Sequence, residues 1–189
     1  LQFPKIIEYL EARGIKTIKM DNFEADDLIG SISEKFKDKS KISIISGDKD
    51  FVQLIEKNVN MIDTMKGKVT STKEVEEKYG LNPKSMIDFF ALVGDSIDNI
   101  PGVRGIGPKT AAPLIKEYGS LEGVYKNIDQ IEKERIRNLL LEYEDDAKLS
   151  KLLVTIKKDL KITEDIDDFK INDVDNVRLN ALFKELEFD

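Results

Sequence analysis

Residues 94–112 read GDSIDNIPGVRGIGPKTAA, and this stretch decides the fold of the second half of the chain. It follows an apolar helical pattern, and its glycines permit the positive φ angles and close backbone approaches of a tight turn. Pro108 presets the first turn of the next helix, whose free backbone N–H groups can hold a phosphate. The pattern predicts a helix-hairpin-helix that grips a nucleic-acid backbone without reading its bases, and an ordinary interhelical turn is the alternative.

The glycine hairpin, residues 101–112, contains candidate DNA contacts in both its backbone and its side chains. Arg104 and Lys109 add positive charge beside the backbone N–H groups. The stretch lacks the Gly-Lys-Ser/Thr end that marks a phosphate-binding loop of nucleotide hydrolases. The predicted DNA-binding residues are Gly102, Val103, Arg104, Gly105, Ile106, Gly107, Lys109 and Thr110.

Helical patterns continue on both sides of the glycine hairpin. Asn82 and Pro83 are suited to begin a helix whose apolar residues Met86, Phe89, Phe90 and Val93 face inward. Further helical patterns cover residues 108–118, 120–127, 132–142, 144–156 and 177–186. We therefore predict a helical lobe over residues 71–189.

The first 70 residues instead alternate helical and strand patterns. Helices are predicted for residues 4–12, 24–36 and 51–55, and strands for residues 42–46 and 59–62, with a short alternating run at residues 16–20. The apolar run ISIIS at residues 42–46 indicates a strand that is buried on both faces. This alternation predicts an α/β lobe with a parallel sheet over residues 1–70, ending near a polar segment at residues 64–74 that suits a small hairpin.

Three short clusters hold seven carboxylates: Glu24, Asp26, Asp27, Asp48, Asp50, Asp95 and Asp98. The first cluster begins a predicted helix, and the second directly follows the strand at residues 42–46, where open α/β sheets form their sites. The third follows an apolar helix, whose dipole disfavours negative charge unless a cation compensates. Helix capping and turn stabilisation are the structural alternatives for these acids.

The chain has no His and no Cys, so a metal site must use oxygen ligands. Clustered carboxylates suit hard ions such as Mg²⁺ or Mn²⁺, and they repel one another unless cations neutralise them. Two such ions can position a water and a phosphodiester and stabilise the leaving oxygen without a histidine. We therefore predict phosphodiester hydrolysis, with Asp27, Asp48 and Asp50 as the catalytic candidates.

The composition limits the partners of the protein. Its 30 basic and 37 acidic residues give a net charge of −7, but basic residues are frequent between residues 100 and 158 and can face DNA while the acidic clusters hold cations. No apolar run approaches the roughly 20 residues of a membrane helix, and the first residues do not resemble a signal peptide. We expect a soluble, cytoplasmic protein without a membrane partner.

The motifs EADD at residues 24–27, SGDKD at 46–50, GDSIDNIPGVRGIGPKTA at 94–111 and LFKELEF at 182–188 occur in one order along the chain. Together they resemble the 5′-nuclease domain of bacterial family A DNA polymerase I, which is related to flap endonucleases. The resemblance implies a partial PIN-like, Rossmann-like sheet, followed by a helical lobe with a helix-3-turn-helix. It also implies metal binding by the same seven acids, duplex binding by residues 102–110 and K⁺ at the hairpin, as in some relatives.

The resemblance implies a 5′-3′ exonuclease or flap endonuclease that uses Mg²⁺ or Mn²⁺ on 5′ flaps, nicked or duplex DNA ends and RNA primers during replication and repair. A polymerase domain can follow in the same chain. Family members begin with a strand bearing a metal-binding Asp and a basic arch that this sequence does not show before Leu1, so we expect weak ion binding and slow or no cleavage by these residues alone. The alternatives are a noncatalytic, sequence-independent DNA-binding module and a structural domain that serves a polymerase.

Overall fold

The computed structural model describes residues 2–188, which form a small sheet followed by a helical lobe. The strands are β1 (Ile42–Ile45), β2 (Val59–Asp63) and β3 (Lys68–Thr70). The helices are α1 (Phe3–Ala12), α2 (Ala25–Phe36), α3 (Thr72–Tyr79), α4 (Met86–Val93), α5 (Pro108–Tyr118), α6 (Leu121–Lys126), α7 (Glu134–Glu142), α8 (Glu144–Val154) and α9 (Asn176–Glu185). Short 3-10 helices cover Lys49–Leu54, Pro83–Ser85, Ile128–Gln130 and Ile166–Phe169.

The sheet has the strand order β1-β2-β3 and contains one parallel and one antiparallel pair. In the parallel pair, Ile42 lies opposite Val59 and Ile45 lies opposite Ile62. The antiparallel partner β3 follows β2 through a tight turn in which Gly67 has a φ of +60°. The turn and the second strand of a hairpin therefore lie within the segment 64–74 where a small hairpin was predicted, while its first strand is β2 and residues 72–74 begin α3. The sheet is parallel only between β1 and β2.

Strand β1 is buried on one face only, so the prediction of a strand buried on both faces is wrong. Ile44 points into the core and is 5% exposed, whereas Ile45 is 61% exposed. β1 lies at the edge of the sheet described here, and core side chains pack against a single face of it. The alternating run at residues 16–20 forms no strand either, since it pairs with none of the described strands.

One hydrophobic core runs from the sheet into the helical lobe. It includes Ile44 of β1 and Val59 of β2, and it continues through Leu92 of α4 and Ile115 of α5 to Val154 at the end of α8. The α/β class and the helical second part are thus as predicted. The division into lobes at residues 70 and 71 stays a prediction, because the side chains on both sides of it share this core.

Residues 154–160, which begin at the last residue of α8 and continue as an extended segment, pack along α2 and are called the strap below. The buried amide of Gln53 binds it twice: its Nε2 donates to the Val154 carbonyl at 2.8 Å, and its Oε1 accepts from the Ile156 N–H at 3.1 Å. A Cβ on Gly30 of α2 would lie 2.7 Å from the Lys157 carbonyl oxygen, so only glycine permits this approach. The strap therefore fixes the end of α8 beside the start of α2.

The first and last described helices pack against each other. Tyr9 of α1 and Phe183 of α9 have ring centroids 6.3 Å apart, and Lys5 Nζ lies 2.6 Å from a Glu185 carboxylate oxygen.

None of the helices within residues 2–188 is long and apolar enough to cross a lipid bilayer.

Candidate active site

Six of the seven predicted carboxylates line one pocket of about 440 Å³, called the acidic pocket below. They come from three separate parts of the sequence and are Glu24, Asp26, Asp27, Asp48, Asp50 and Asp98. Ile100 and residues 153–156 form the remaining walls. Asp95 is the one predicted acid that does not line this pocket.

The first cluster reaches the acidic pocket from the start of α2. Glu24 precedes the helix with an extended backbone, and Asp26 and Asp27 lie in its first turn, where the positive end of the helix dipole favours acids. Asp27 Oδ1 accepts a hydrogen bond from the Lys157 N–H of the strap at 2.9 Å. The strap therefore orients one of the candidate ligands.

The second cluster follows the carboxyl end of β1. Asp48 is the N-cap of the 3-10 helix Lys49–Leu54, and its Oδ1 accepts from the Asp50 N–H at 2.9 Å. The Asp48 N–H in turn donates to Ser46 Oγ at 3.0 Å. Asp48 therefore caps a helix, as the structural alternative predicted. Capping uses only one of its two carboxylate oxygens, and both Asp48 and Asp50 line the acidic pocket.

The third cluster lies just after α4, and its two acids have different surroundings. Asp98 is exposed and lines the acidic pocket. Asp95 is only 9% exposed; its Oδ1 accepts from the Ile97 N–H at 2.9 Å, and its Oδ2 lies 2.5 Å from Lys49 Nζ. The compensating cation that the helix dipole requires at Asp95 is therefore supplied by a lysine of the second cluster.

The acidic pocket holds more negative charge than its surroundings compensate. Burial, followed by repulsion from Asp48, raises the pKa of Asp50 to about 6. Burial and then the charges of neighbouring acids, Asp48 first, also raise the pKa of Asp26. Asp98 is exposed, but partial desolvation, followed by repulsion from the nearby Asp95, raises the pKa of its carboxyl. By contrast, the hydrogen bond from Lys49 lowers the pKa of Asp95.

These carboxylates form an open arrangement. Within residues 2–188, no three acidic side chains converge closely enough to make a ready-formed ion site. The donor set nevertheless fits a hard divalent ion, because it consists of carboxylate oxygens whose mutual repulsion a cation would relieve. Binding would require side-chain rotations that bring the carboxylates of the acidic pocket together.

The glycine hairpin begins at a neck where two backbone segments touch. Gly102 has a φ of +60°, and a Cβ there would lie 2.5 Å from the Gly94 nitrogen. The Gly102 N–H donates to the buried Ser150 Oγ of α8 at 2.8 Å, and Ser150 Oγ donates to the Asp146 carbonyl at 2.7 Å. The neck is thereby fixed to α8, the helix that leads into the strap.

The predicted DNA-binding residues divide into buried and accessible positions. Val103 and Ile106 are 2% and 3% exposed, so their side chains anchor the loop in the core and cannot meet a ligand. Gly102 is also buried, whereas Gly107 and Thr110 are half-buried. The exposed positions are Arg104, Gly105 and Lys109.

Sequence reasoning missed three positions around the acidic pocket. Lys49, between Asp48 and Asp50, was assigned no partner, although the expectation of a cation at Asp95 was a signal for it. Gln53 interrupts the apolar run FVQL, and a polar residue in such a run indicates a specific buried partner. The Lys157 N–H is a backbone contact, which no side-chain pattern could reveal.

Two family models match consecutive parts of the chain. The one described as the N-terminal resolvase-like domain of 5′-3′ exonuclease matches residues 1–80. The one described as the C-terminal SAM fold of 5′-3′ exonuclease matches residues 81–177, which include the glycine hairpin.

Two curated relatives match along almost all of the chain. The 5′-3′ exonuclease of Aquifex aeolicus is 39% identical over 188 residues, which cover 99% of this chain and 64% of that protein. DNA polymerase I of Bacillus caldotenax is 38% identical over 192 residues, which cover 99% of this chain and 22% of that protein. The chain therefore spans only part of the length of each relative.

Solved structures give the same fold. T5 5′-exonuclease with bound zinc ions has a TM-score of 0.65 and 25% identity, covering 91% of this chain and 62% of that chain. A bacteriophage T5 flap endonuclease in a complex with DNA and metal ions has a TM-score of 0.66, covering 91% of this chain and 62% of that chain; at 24% identity this match supports the fold alone. From these matches and the family models, the chain belongs to the 5′-3′ exonuclease family.

Proposed function

We propose that the protein is a divalent-metal-dependent 5′-3′ exonuclease or flap endonuclease that hydrolyses phosphodiesters. The observation that supports this most strongly is that six carboxylates, from three distant sequence clusters, line one pocket. Membership of the 5′-3′ exonuclease family supports the same activity. Substrates at 5′ flaps, nicked or duplex DNA ends and RNA primers, in replication and repair, are part of this proposal.

The proposed ion ligands are the carboxylates of the acidic pocket, with Asp95 joining them when Lys49 releases it. Asp27, Asp48 and Asp50 are the proposed catalytic residues, since they lie at the helix start and the strand end that meet there. When bound, Mg²⁺ or Mn²⁺ would favour deprotonation of a water and offset the charge that develops on the phosphate. The zinc-bound T5 5′-exonuclease supports a divalent ion in this family, and the choice of Mg²⁺ or Mn²⁺ is our proposal.

The proposed DNA contact is the glycine hairpin together with the start of α5. Arg104 and Lys109 are exposed, and the Lys109 backbone N–H in the first turn of α5 can donate a hydrogen bond to a backbone phosphate. Such contacts hold the strand without reading bases. The DNA polymerase I relatives support DNA as the partner, and they support a polymerase domain in the same polypeptide. K⁺ at the hairpin stays a prediction.

Hydrolysis of a labelled 5′-flap duplex with Mg²⁺ or Mn²⁺ tests the proposal in the full-length protein. Asp48→Ala removes a carboxylate from the acidic pocket and should lower the rate by at least about 100-fold. Asp129→Ala is the matched control, because Asp129 is exposed and does not line that pocket. An Asp48→Ala protein that cleaves at the wild-type rate would refute the assignment.

The same substrates separate the nuclease from a noncatalytic DNA-binding module. A DNA-binding module would bind the duplex equally well with and without divalent ions, and Asp48→Ala would not change its affinity for the duplex. The wild-type module would hydrolyse none of these substrates.

A further inference from the structure

Lys49 lies between two acids of the second cluster in sequence, but its ammonium group contacts the third cluster. Its Nζ is 2.5 Å from Asp95 Oδ2 and 5.5 Å from the ring centroid of Phe90 on α4. The Lys49 side chain is 42% exposed, whereas that of Asp95 is 9% exposed. A partly exposed cation thus covers an almost buried carboxylate at the end of α4.

Two features make an unpaired Asp95 carboxylate unfavourable, so the Lys49 cation stabilises it. It follows the C-terminus of α4, where the helix dipole is negative, and an unpaired carboxylate with so little exposure is costly. Asp95 and Lys49 line a second pocket, and Ile100 lines both this pocket and the acidic pocket. The ion pair therefore borders the site where we propose that divalent ions bind.

We propose that the Lys49 ammonium group occupies the cation position at Asp95 and competes with a divalent ion for that carboxylate. The inference rests on the proposed function of the acidic pocket. The flexible four-carbon stem of lysine and the exposure of Lys49 allow the ammonium group to leave for solvent when an ion arrives. Without ions, the same pair satisfies Asp95 and stabilises the end of α4.

Competition and a purely structural ion pair have different consequences. If Lys49 competes, removing its charge weakens the ion-free fold but strengthens ion binding. If the pair is only structural, removing the charge weakens the fold and leaves ion binding unchanged or weaker. A third case is a general field effect, in which any lost positive charge strengthens ion binding whether or not Asp95 is present.

Manganese titration by calorimetry, with thermal unfolding in EDTA, distinguishes these cases. Lys49→Met keeps an unbranched side chain against Phe90 but removes the charge, and Lys49→Arg keeps the charge. We expect about 10-fold tighter Mn²⁺ binding and a lower unfolding temperature in EDTA for Lys49→Met, with Lys49→Arg close to wild type.

The double variant Lys49→Met with Asp95→Asn identifies the carboxylate involved. The gain in Mn²⁺ affinity should disappear when Asp95 can no longer bind the ion. A gain that persists in the double variant indicates a field effect and overturns the inference. Unchanged Mn²⁺ affinity in folded Lys49→Met also overturns it.

Lysine acetylation of the wild-type protein gives a test that needs no variant. Peptide mass spectrometry should show faster modification of Lys49 after Mg²⁺ is added, because the ion releases its ammonium group from Asp95. Lys170, which is highly exposed and pairs with Asp167, should react at the same rate with and without Mg²⁺. A Lys49 rate that Mg²⁺ does not change contradicts competition.

The outcome for the wild type separates this inference from the proposed function. If Mn²⁺ binds and Asp48→Ala abolishes binding, the acidic pocket is the ion site, and the Lys49 variants then decide the inference alone. If neither the wild type nor any variant binds Mn²⁺, the proposed function fails and the competition fails with it.

Discussion

Among the acids of the acidic pocket, Asp50 has the largest resolved pKa shift. Its pKa rises from an ordinary value of 3.8 to about 6, first through burial and then through repulsion from Asp48. The folded state therefore holds a proton more tightly than the unfolded chain does. It follows that this carboxyl stabilises the fold below about pH 4, and that its contribution is lost as the pH rises toward about 6.

Asp50→Asn should remove the loss of stability that follows from the ionisation of Asp50 at rising pH. In EDTA at pH 7 the variant should be about 1 to 3 kcal/mol more stable than the wild type, whereas at pH 4 the two should be close. Urea unfolding at several pH values measures the difference, and Mg²⁺ at pH 7 should reduce it by stabilising the wild type. Asp129→Asn, an exposed change outside the acidic pocket, is the control. Parallel pH curves for Asp50→Asn and wild type would contradict this account.

A few hydrogen bonds connect the elements around the acidic pocket. The neck of the glycine hairpin binds Ser150 of α8, α8 continues into the strap, and the Lys157 N–H of the strap binds Asp27. Gln53 lies in the 3-10 helix that Asp48 caps, and its hydrogen bonds connect that helix to the strap. The elements that carry the acids and the hairpin are thus connected through α8 and the strap.

Gln53→Leu should destabilise the protein by about 2 to 4 kcal/mol, because the Val154 carbonyl and the Ile156 N–H lose their partner in a buried site. Gln130→Leu is the matched control: Gln130 is exposed, and its loss should cost less than about 0.5 kcal/mol. Urea unfolding compares the two variants. Equal stability of the two would show that the Gln53 contacts do not hold the strap.

Gly102→Ala tests the neck of the glycine hairpin. Gly102 and Gly67 share a φ of +60°, but a Cβ at Gly67 would meet nothing within 4 Å. Gly67→Ala should therefore cost only the conformational term of about 1 kcal/mol, whereas Gly102→Ala should cost at least about 2 kcal/mol more because its Cβ meets the backbone of Gly94. Thermal or urea unfolding gives both values. Equal losses would contradict the close backbone approach at the neck.

Charge over the entire chain determines how an acidic protein can bind DNA. The net charge of −7 opposes association, so binding depends on where basic residues are exposed.

Arg104→Ala and Lys109→Ala should each weaken duplex binding similarly for all sequences and lower the slope of log K against log salt by about 1. Lys170→Ala, an exposed change outside the hairpin, is the control. Fluorescence anisotropy in EDTA measures the slopes, and unchanged slopes would exclude the hairpin as the phosphate contact.

The sequence predicted those features that local patterns determine. Helical periodicity located α5 at residues 108–118 without error, and acids at a strand end and a helix start indicated a common site. Long-range partners were beyond such patterns: Gln53 meets Val154 across 101 positions, and Lys49 pairs with the third cluster. The burial of Ile45 was overestimated because an apolar run does not reveal whether both faces of a strand are covered.

Free Mn²⁺, measured by electron paramagnetic resonance during titration of the protein, tests the central claim most directly. The wild type should remove Mn²⁺ from solution, and the triple variant Asp26→Asn, Asp48→Asn, Asp50→Asn should not. A control with Asp129→Asn, Asp145→Asn and Asp167→Asn loses the same charge outside the acidic pocket and should bind like the wild type. Equal binding by all three proteins, or no binding by the wild type, would contradict the assignment of the acidic pocket as the metal centre.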